Sequence, residues 1–316
     1  MGSSAYALVI LGSVLIAFFN VISKKALGDT WKNKEAIFTS ILMFMTASVL
    51  FLISSLSGGM EITYGLPWHH SFWFAVITTG LLNVGIQYFN MKAKSLEDVS
   101  LVVPISASTP AVVIITCMIF LGEFPSWVGW LGIWFLVVGV YILNLQSYME
   151  KKRAKEGRVT LKDWFAPFLL FRKSEGVRWA FASVFLSVFS LPYDGMTART
   201  GNVAFGLAII CSIVCVGTLM IALYKEEVKL SALSFRLPWK VIGVLAILAC
   251  LWALGGGSST CAYRYSIVPY VGTLKHLQIP FTILLAYFLI KERTNFRDRL
   301  TGGIIIAAGA ILIGIS

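Results

Sequence analysis

Residues 108–143 read STPAVVIITCMIFLGEFPSWVGWLGIWFLVVGVYIL, and residues 278–313 read QIPFTILLAYFLIKERTNFRDRLTGGIIIAAGAILI. In each, a proline (Pro110, Pro280) opens an apolar run, a short turn interrupts it (Gly122 and Glu123, Lys291 and Glu292), and a glycine-rich apolar run closes it. Such runs approach the ~20 residues that carry a helix across the ~30 Å hydrocarbon layer of a bilayer. The two stretches read as copies of one pair of spanning helices, and a repeat at this separation decides the architecture. A second correspondence joins SVLIAFFNVISKKALG at 13–28 with SVFSLPYDGMTARTG at 187–201, setting Asn20 opposite Asp194 and Lys25 opposite Arg199.

The composition agrees. Of 316 residues, 58% are hydrophobic and 13% charged, against roughly 45–50% and about 25% in soluble domains. One or two soluble cores cannot hide that much apolar surface, which excludes an ordinary soluble enzyme, a nucleic-acid module and a disordered chain. Ten spans are expected, near 5–23, 36–56, 71–90, 99–121, 127–145, 179–197, 203–224, 239–262, 268–290 and 300–315. The first is not read as a secretory signal, because no basic residue precedes it and lysines follow it.

The formal charge of +11 has a place in this scheme. The connections after spans one, three, five, seven and nine hold 23 of the 26 Lys and Arg residues. The other side has only Arg199 and Arg264, and Lys275 falls inside a span. The positive-inside rule then puts the five basic connections in the cytosol and both termini outside, with the protein in the cell (plasma or inner) membrane. Attraction to anionic headgroups accounts for most of this basicity. The connection at 147–177 is a basic amphipathic linker whose apolar segment Leu161–Phe171 (LKDWFAPFLLF) suits the membrane interface. It separates a first half, 1–146, from a second, 178–316.

Each half holds five spans, an odd number, so the halves run through the membrane in opposite senses. The fold class expected is an all-α integral membrane protein of ten transmembrane helices, arranged as two inverted five-helix repeats. Inverted repeats of this kind build secondary transporters, with the substrate near midplane between the repeats. The proline, the turn glutamate and the glycine-rich last span resemble the EamA-type members of the drug/metabolite transporter superfamily, over essentially the whole chain. The resemblance implies alternating access to a central cavity lined mostly by spans one, three, four, six, eight and nine. The first-span glutamate of the small four-span relatives, which binds protons and cationic drugs, is missing: span one has Asn20 instead. A polyaromatic-cation exporter is correspondingly disfavoured.

Ionisable groups inside a span are costly and mark function by default. Here they are Lys275 and His276 in span nine and Asp194 in span six. At 1.5 Å per residue, Lys275 stands about 10 Å from the outer end of its span and Asp194 about 22 Å from the cytosolic end of its own, a similar depth. Either both face substrate and coupling ion, or they neutralise each other. His276 points about 100° away from Lys275 and suits an interhelical hydrogen bond. Some ten-span relatives that handle phosphorylated or nucleotide-linked substrates place lysine in this span, and VGTLKHLQIP at 271–280 is loosely similar.

Uncharged candidates are Asn83, Gln87 and Tyr88 in span three, Ser108 between Pro104 and Pro110, and Trp252 and Tyr270. Asn83, Gln87 and Asn90 share a helical face. Gly255, Gly256 and Gly257 permit close packing or local unwinding of span eight. Pro192 and Pro280 are hinges or kinks. Glu123 and Glu292 read as helix-turn structure, and Glu97 and Asp98 as balancing Lys92 and Lys94. His69 and His70 lack a third ligand, so no metal is expected. The five cysteines read as packing residues.

These residues predict a secondary transporter or exchanger, not an enzyme and without a cofactor. It would carry a small anionic or zwitterionic metabolite such as an amino acid, organic acid or phosphorylated sugar. Lys275 would meet a carboxylate or phosphate, and Asp194 would couple transport to a proton or leave it as exchange. The partners expected are that metabolite, the lipid bilayer and a coupling proton, with no nucleic acid; the protein would act as monomer or homodimer. The alternative is a non-transporting sensor or intramembrane enzyme, which would need a convergent catalytic set that the sequence lacks.

Overall fold

Long apolar runs without strand-like alternation form helices whose backbone groups are satisfied internally, as a lipid solvent demands. A computed structural model of the protein describes residues 2–30, 35–96, 105, 109–156, 160–165, 169, 171–225, 238–285 and 296–316. Ser106, Ser108, Glu97, Asp98 and Glu292 lie outside the described residues, as do the side chains of Lys24 and Lys25. The helices are α1 (Ser3–Thr30), α2 (Glu35–Leu56), α3 (Phe72–Leu96), α4 (Thr109–Leu121), α5 (Trp127–Glu156), α6 (Glu175–Thr200), α7 (Val203–Tyr224) and α8 (Trp239–Cys261). They continue with α9 (Val268–Leu274), α10 (Gln278–Leu285) and α11 (Phe296–Ile315). Among the described residues, stretches of α1, α2, α3, α7 and α8 are each long and apolar enough to cross a membrane, and α4, α5 and α11 contain shorter apolar helices. The fold is that of a multi-pass membrane protein.

Three helices run six or more residues past the expected ends of their spans. α1 continues to Thr30, α3 to Leu96 and α5 to Glu156, so the first part of the central connection is helix. The tail of α5, NLQSYMEKKRAKE, contains neither glycine nor proline and is rich in good helix formers. The helix is then tied to the linker. Lys152 donates to Asp163 Oδ1 at 2.5 Å, and the Thr160 N–H and hydroxyl donate to Oδ2 at 2.7 and 2.9 Å. The bond from the Lys152 ammonium, seconded by the Thr160 N–H, holds the Asp163 carboxyl below the usual carboxylate range. Tyr141 of α5 donates to the Trp164 carbonyl at 2.6 Å, while Phe165 and Leu169 stay exposed, the arrangement of an interfacial segment.

Helix ends obey local chemistry. Ser174 caps α6 by accepting from Val177 N–H at 3.1 Å, and Asn202 caps α7 by accepting from Phe205 N–H at 3.2 Å. α4 stops at Gly122, whose φ of +65° lies in the left-handed region that favours glycine.

Span nine departs from its expected single helix. It is split by a 3-10 turn at Lys275–Leu277 between α9 and α10. The cause is Pro280. Its missing N–H leaves the carbonyl four residues back, that of His276, without a helical partner, and its ring crowds that carbonyl.

The most extensive helix pairings are α3 with α6, α5 with α11, α2 with α7 and α1 with α8; α1 also packs on α10, and α4 on α6. The α5–α11 seam is backbone on backbone. A Cβ added at Gly132 would lie 2.8 Å from the Gly309 carbonyl, and one at Gly139 would lie 3.1 Å from the Gly302 carbonyl. The pairs 132·309 and 139·302 make the two helices antiparallel, and small residues permit the close approach. In α8 the glycine triplet does not unwind the helix, which is continuous to Cys261, and Gly255 faces Leu15 and Gly12 of α1.

Gly309→Val puts new carbon 2.6 Å from the Leu136 backbone nitrogen. The expected cost is about 1–3 kcal/mol of stability, as for overpacked cores, read as a lower Tm in detergent. Gly303→Ala, which meets nothing within 4 Å, should leave Tm unchanged.

Candidate functional site

Pro192 does to α6 what Pro280 does to span nine. It leaves the Val188 carbonyl without an intrahelical donor, and Thr116 of α4 fills the vacancy with a 2.8 Å bond. Beyond this point α6 presents Ser190 and Asp194 to α3. Asn83 Nδ2 donates to Ser190 Oγ at 3.0 Å, Ser190 Oγ and Thr79 Oγ1 are 2.6 Å apart, and Thr79 donates to Asp194 Oδ1 at 2.5 Å. Because the Thr79 hydroxyl proton goes to the carboxyl, the Ser190 hydroxyl must donate to Thr79. The donors thus run in one direction, from Asn83 to Asp194, as mutually polarising hydrogen bonds do.

Across from this chain lies the broken span. The Lys275 ammonium stands 4.4 Å from the centroid of the Tyr263 ring, a cation–π distance. Tyr263 is fully buried, and its hydroxyl has no hydrogen-bond partner among the described residues. Ser13 of α1 reaches the Leu274 carbonyl at 3.4 Å, just before the 3-10 turn.

Asp194 and Lys275 line one cavity of about 230 Å³. Asn83, Ser13 and Gln278 share its polar wall with Ser259 and Thr260; Ile16, Leu207, Ile210 and Trp252 supply apolar surface. Asp194 and Lys275 form no salt bridge with each other: the carboxyl is bonded to Thr79 and the ammonium lies on an aromatic face. Two ionisable groups of opposite sign therefore face a common space with bonding capacity to spare.

The structure brings together Lys275, Asp194, Asn83 and Trp252 of the sequence candidates. It brings none of the other described candidates to that cavity. Asn20 donates to Thr282 of α10 at 3.4 Å, a bond between helices outside the cavity lining. Tyr88 lies near the other end of α3 beside Trp179, with Lys225 over its ring at 5.3 Å. The Tyr270 hydroxyl accepts from Ser126 N–H at 2.8 Å and fills the space beside Gly129. Gln87 and His276 are absent from the lining, His276 being one step round the helix from Lys275. Sequence reasoning did not single out Ser13, Gln278 or the two apolar residues of α7. Ser13 is a serine set among the apolar residues of α1 and has no signal of its own.

A second polar cluster closes one end of the bundle. Glu123, at the turn after α4, pairs with Arg199 of α6 at 2.5 Å and accepts from Val268 N–H at 2.7 Å. Arg199 also donates to the carbonyls of Tyr263 and Ser266 at 2.8 and 2.9 Å. Arg264 donates to those of Ala198 and Gly201 at 2.7 and 2.5 Å. Glu123 was expected to serve only its own turn; instead it joins the α4–α5 turn to α6 and to the start of α9. Arg199 and Arg264 are the two arginines that the charge tally set apart from all other cations.

No curated protein matches the chain. A solved structure described only as a crystal structure of protein superposes with a TM-score of 0.71, covering 100% of this chain and 98% of that chain at 13% identity, a likeness of fold. Residues 3–145 match the EamA-like transporter family. The match spans slightly less than half of the chain, which over that stretch is similar to this family of transporters.

Proposed function

We propose that the protein is a secondary transporter or exchanger of a small zwitterionic or anionic metabolite, working by alternating access to the 230 Å³ cavity. The observation that carries this reading is that two side chains of opposite charge, Lys275 and Asp194, line the same cavity without a salt bridge between them. An ammonium and a carboxyl held apart suit a solute bearing a carboxylate or phosphate at one end and an amine or exchangeable proton at the other. The volume is below the ~300–1,000 Å³ of drug-sized sites, in keeping with a metabolite of amino-acid or organic-acid size. Trp252 would flank its body, and Asp194 would take the coupling proton where transport is not plain exchange.

Ten spans in two inverted halves, 1–146 and 178–316, are part of the same proposal. The helix pairings support it. Exchanging α1–α5 for α6–α11 turns the α1–α8 contact into α6–α3 and the α1–α10 contact into α6–α4, and returns α2–α7 and α5–α11 to themselves. A shift of 170 positions likewise carries Gly132 to Gly302 and Gly139 to Gly309, the four glycines of one seam. In this topology the basic linker is cytosolic, both termini are outside the plasma membrane, and the Glu123–Arg199 cluster is the outer closure. The two halves rock about their proline breaks, opening the cavity first to one side and then to the other.

The test is a thermal-shift screen of the purified protein against amino acids, carboxylic acids and sugar phosphates, followed by counterflow of each hit in liposomes. A stabilising zwitterion or anion that also shows counterflow is the expected result. Stabilisation by hydrophobic cations alone, or binding without any counterflow, would overturn the reading.

A further inference from the structure

A larger cavity, about 630 Å³, opens on the flank of α6 away from the charged site. Its walls are almost wholly apolar: Phe89 of α3, Ile115 of α4, Phe171 of the linker, and Phe181, Phe185 and Phe189 of α6. Thr116 adds no free polarity, because its hydroxyl is bonded to the Val113 and Val188 carbonyls. Arg178 alone brings charge to the lining, and it stands at one end. It is exposed and has no acceptor among the described residues.

The dimensions fit one kind of molecule. From Arg178 to Phe189, α6 climbs eleven residues, about 16 Å at 1.5 Å each; one leaflet of a ~30 Å hydrocarbon layer is about 15 Å. Charge around the mouth is complementary to an anion. Arg172 and Lys173 follow Phe171 directly and are exposed, and the neighbouring acid, Glu175, is already engaged by Lys92 at 3.8 Å and by Trp179 Nε1 at 3.1 Å. Phe171 and Phe181 meet edge to face at 5.1 Å beside the mouth, and Phe185 and Phe189 do so at 5.0 Å further along. These edge-to-face pairs line an apolar groove along α6.

We propose that this groove is a binding site for an anionic phospholipid, with an acyl chain along Phe181, Phe185 and Phe189 and the headgroup phosphate on Arg178. Basic clusters where spanning helices meet the membrane surface recognise such headgroups. The site uses the span assignment proposed above but not the transport cycle. It borders the Thr116–Val188 bond, so the lipid packs against the segment of α6 that Pro192 distorts.

The experiment is intact-mass measurement of the purified protein from micelles containing dioleoyl phosphatidylglycerol and dioleoyl phosphatidylcholine in equal amounts. The wild type should retain one phosphatidylglycerol in about tenfold preference, the worth of a charge-assisted bond. Arg178→Gln should abolish that preference. Ala182→Leu, which fills the groove without touching charge, should remove the adduct even if Arg178→Gln cannot be purified. Equal retention of the two lipids, an undiminished preference in Arg178→Gln, or an adduct that survives Ala182→Leu would each overturn the proposal. So would displacement of the lipid by millimolar glycerol phosphate, which would mark a site for a soluble anion. No step depends on transport, so these outcomes stand apart from the counterflow result.

Discussion

Lys275→Ala is expected to lower counterflow of the substrate about 100-fold while the protein still folds. Removing the ammonium deletes a charge-assisted bond to the substrate, worth about 1.5–3 kcal/mol, and leaves the Asp194 carboxyl facing the cavity with no cation across from it. A factor of 100 corresponds to about 2.7 kcal/mol, within that range. A purely structural role makes a different forecast. Were Lys275 present only to neutralise Asp194, the double variant Lys275→Ala/Asp194→Asn would recover both thermal stability and counterflow. If the lysine meets substrate, the double variant regains stability and stays inactive. Counterflow and melting curves on the two single variants and the double therefore separate the roles.

In the proposed topology, Glu123→Gln is expected to loosen the outer closure. The glutamine oxygen still accepts from Val268 N–H, so the substitution removes the ion pair to Arg199 and little else. Losing one partner of a buried pair costs about 3–5 kcal/mol. The Arg199 side chain is about a third exposed and keeps its two carbonyl acceptors, which reduces the expected loss to about 1–2 kcal/mol once solvent screening is counted. That is roughly a tenfold shift toward the outward-open form. Modification of a Ser259→Cys variant by a membrane-impermeant maleimide, applied from outside and read above the signal of the native cysteines, should rise accordingly. Unchanged labelling would remove Glu123 from the gate.

The two variants also mark how far the site was legible beforehand. Lys275 and Asp194 stood out because a charge inside a span has no inexpensive place in hydrocarbon, a property of one residue and its neighbours in sequence. Asn83 and Trp252 were found on a helical face and by residue type. Tyr88, Tyr270 and Asn20 met the same criteria and lie elsewhere. Their positions depend on how each helix is rotated and tilted, which a single helix does not encode.

What the sequence determined by itself was the membrane class and the helical content. Transfer into lipid is charged residue by residue along a span, so composition and period suffice. The tertiary structure decided where the chain bends between α9 and α10, which hydroxyls pass their protons toward Asp194, and that Glu123 reaches Arg199. Those outcomes follow from glycine seams that fix the distance between helices and from prolines whose orphaned carbonyls must find donors on another helix. Both are contacts between residues far apart in the chain, and they come into being only when the helices pack.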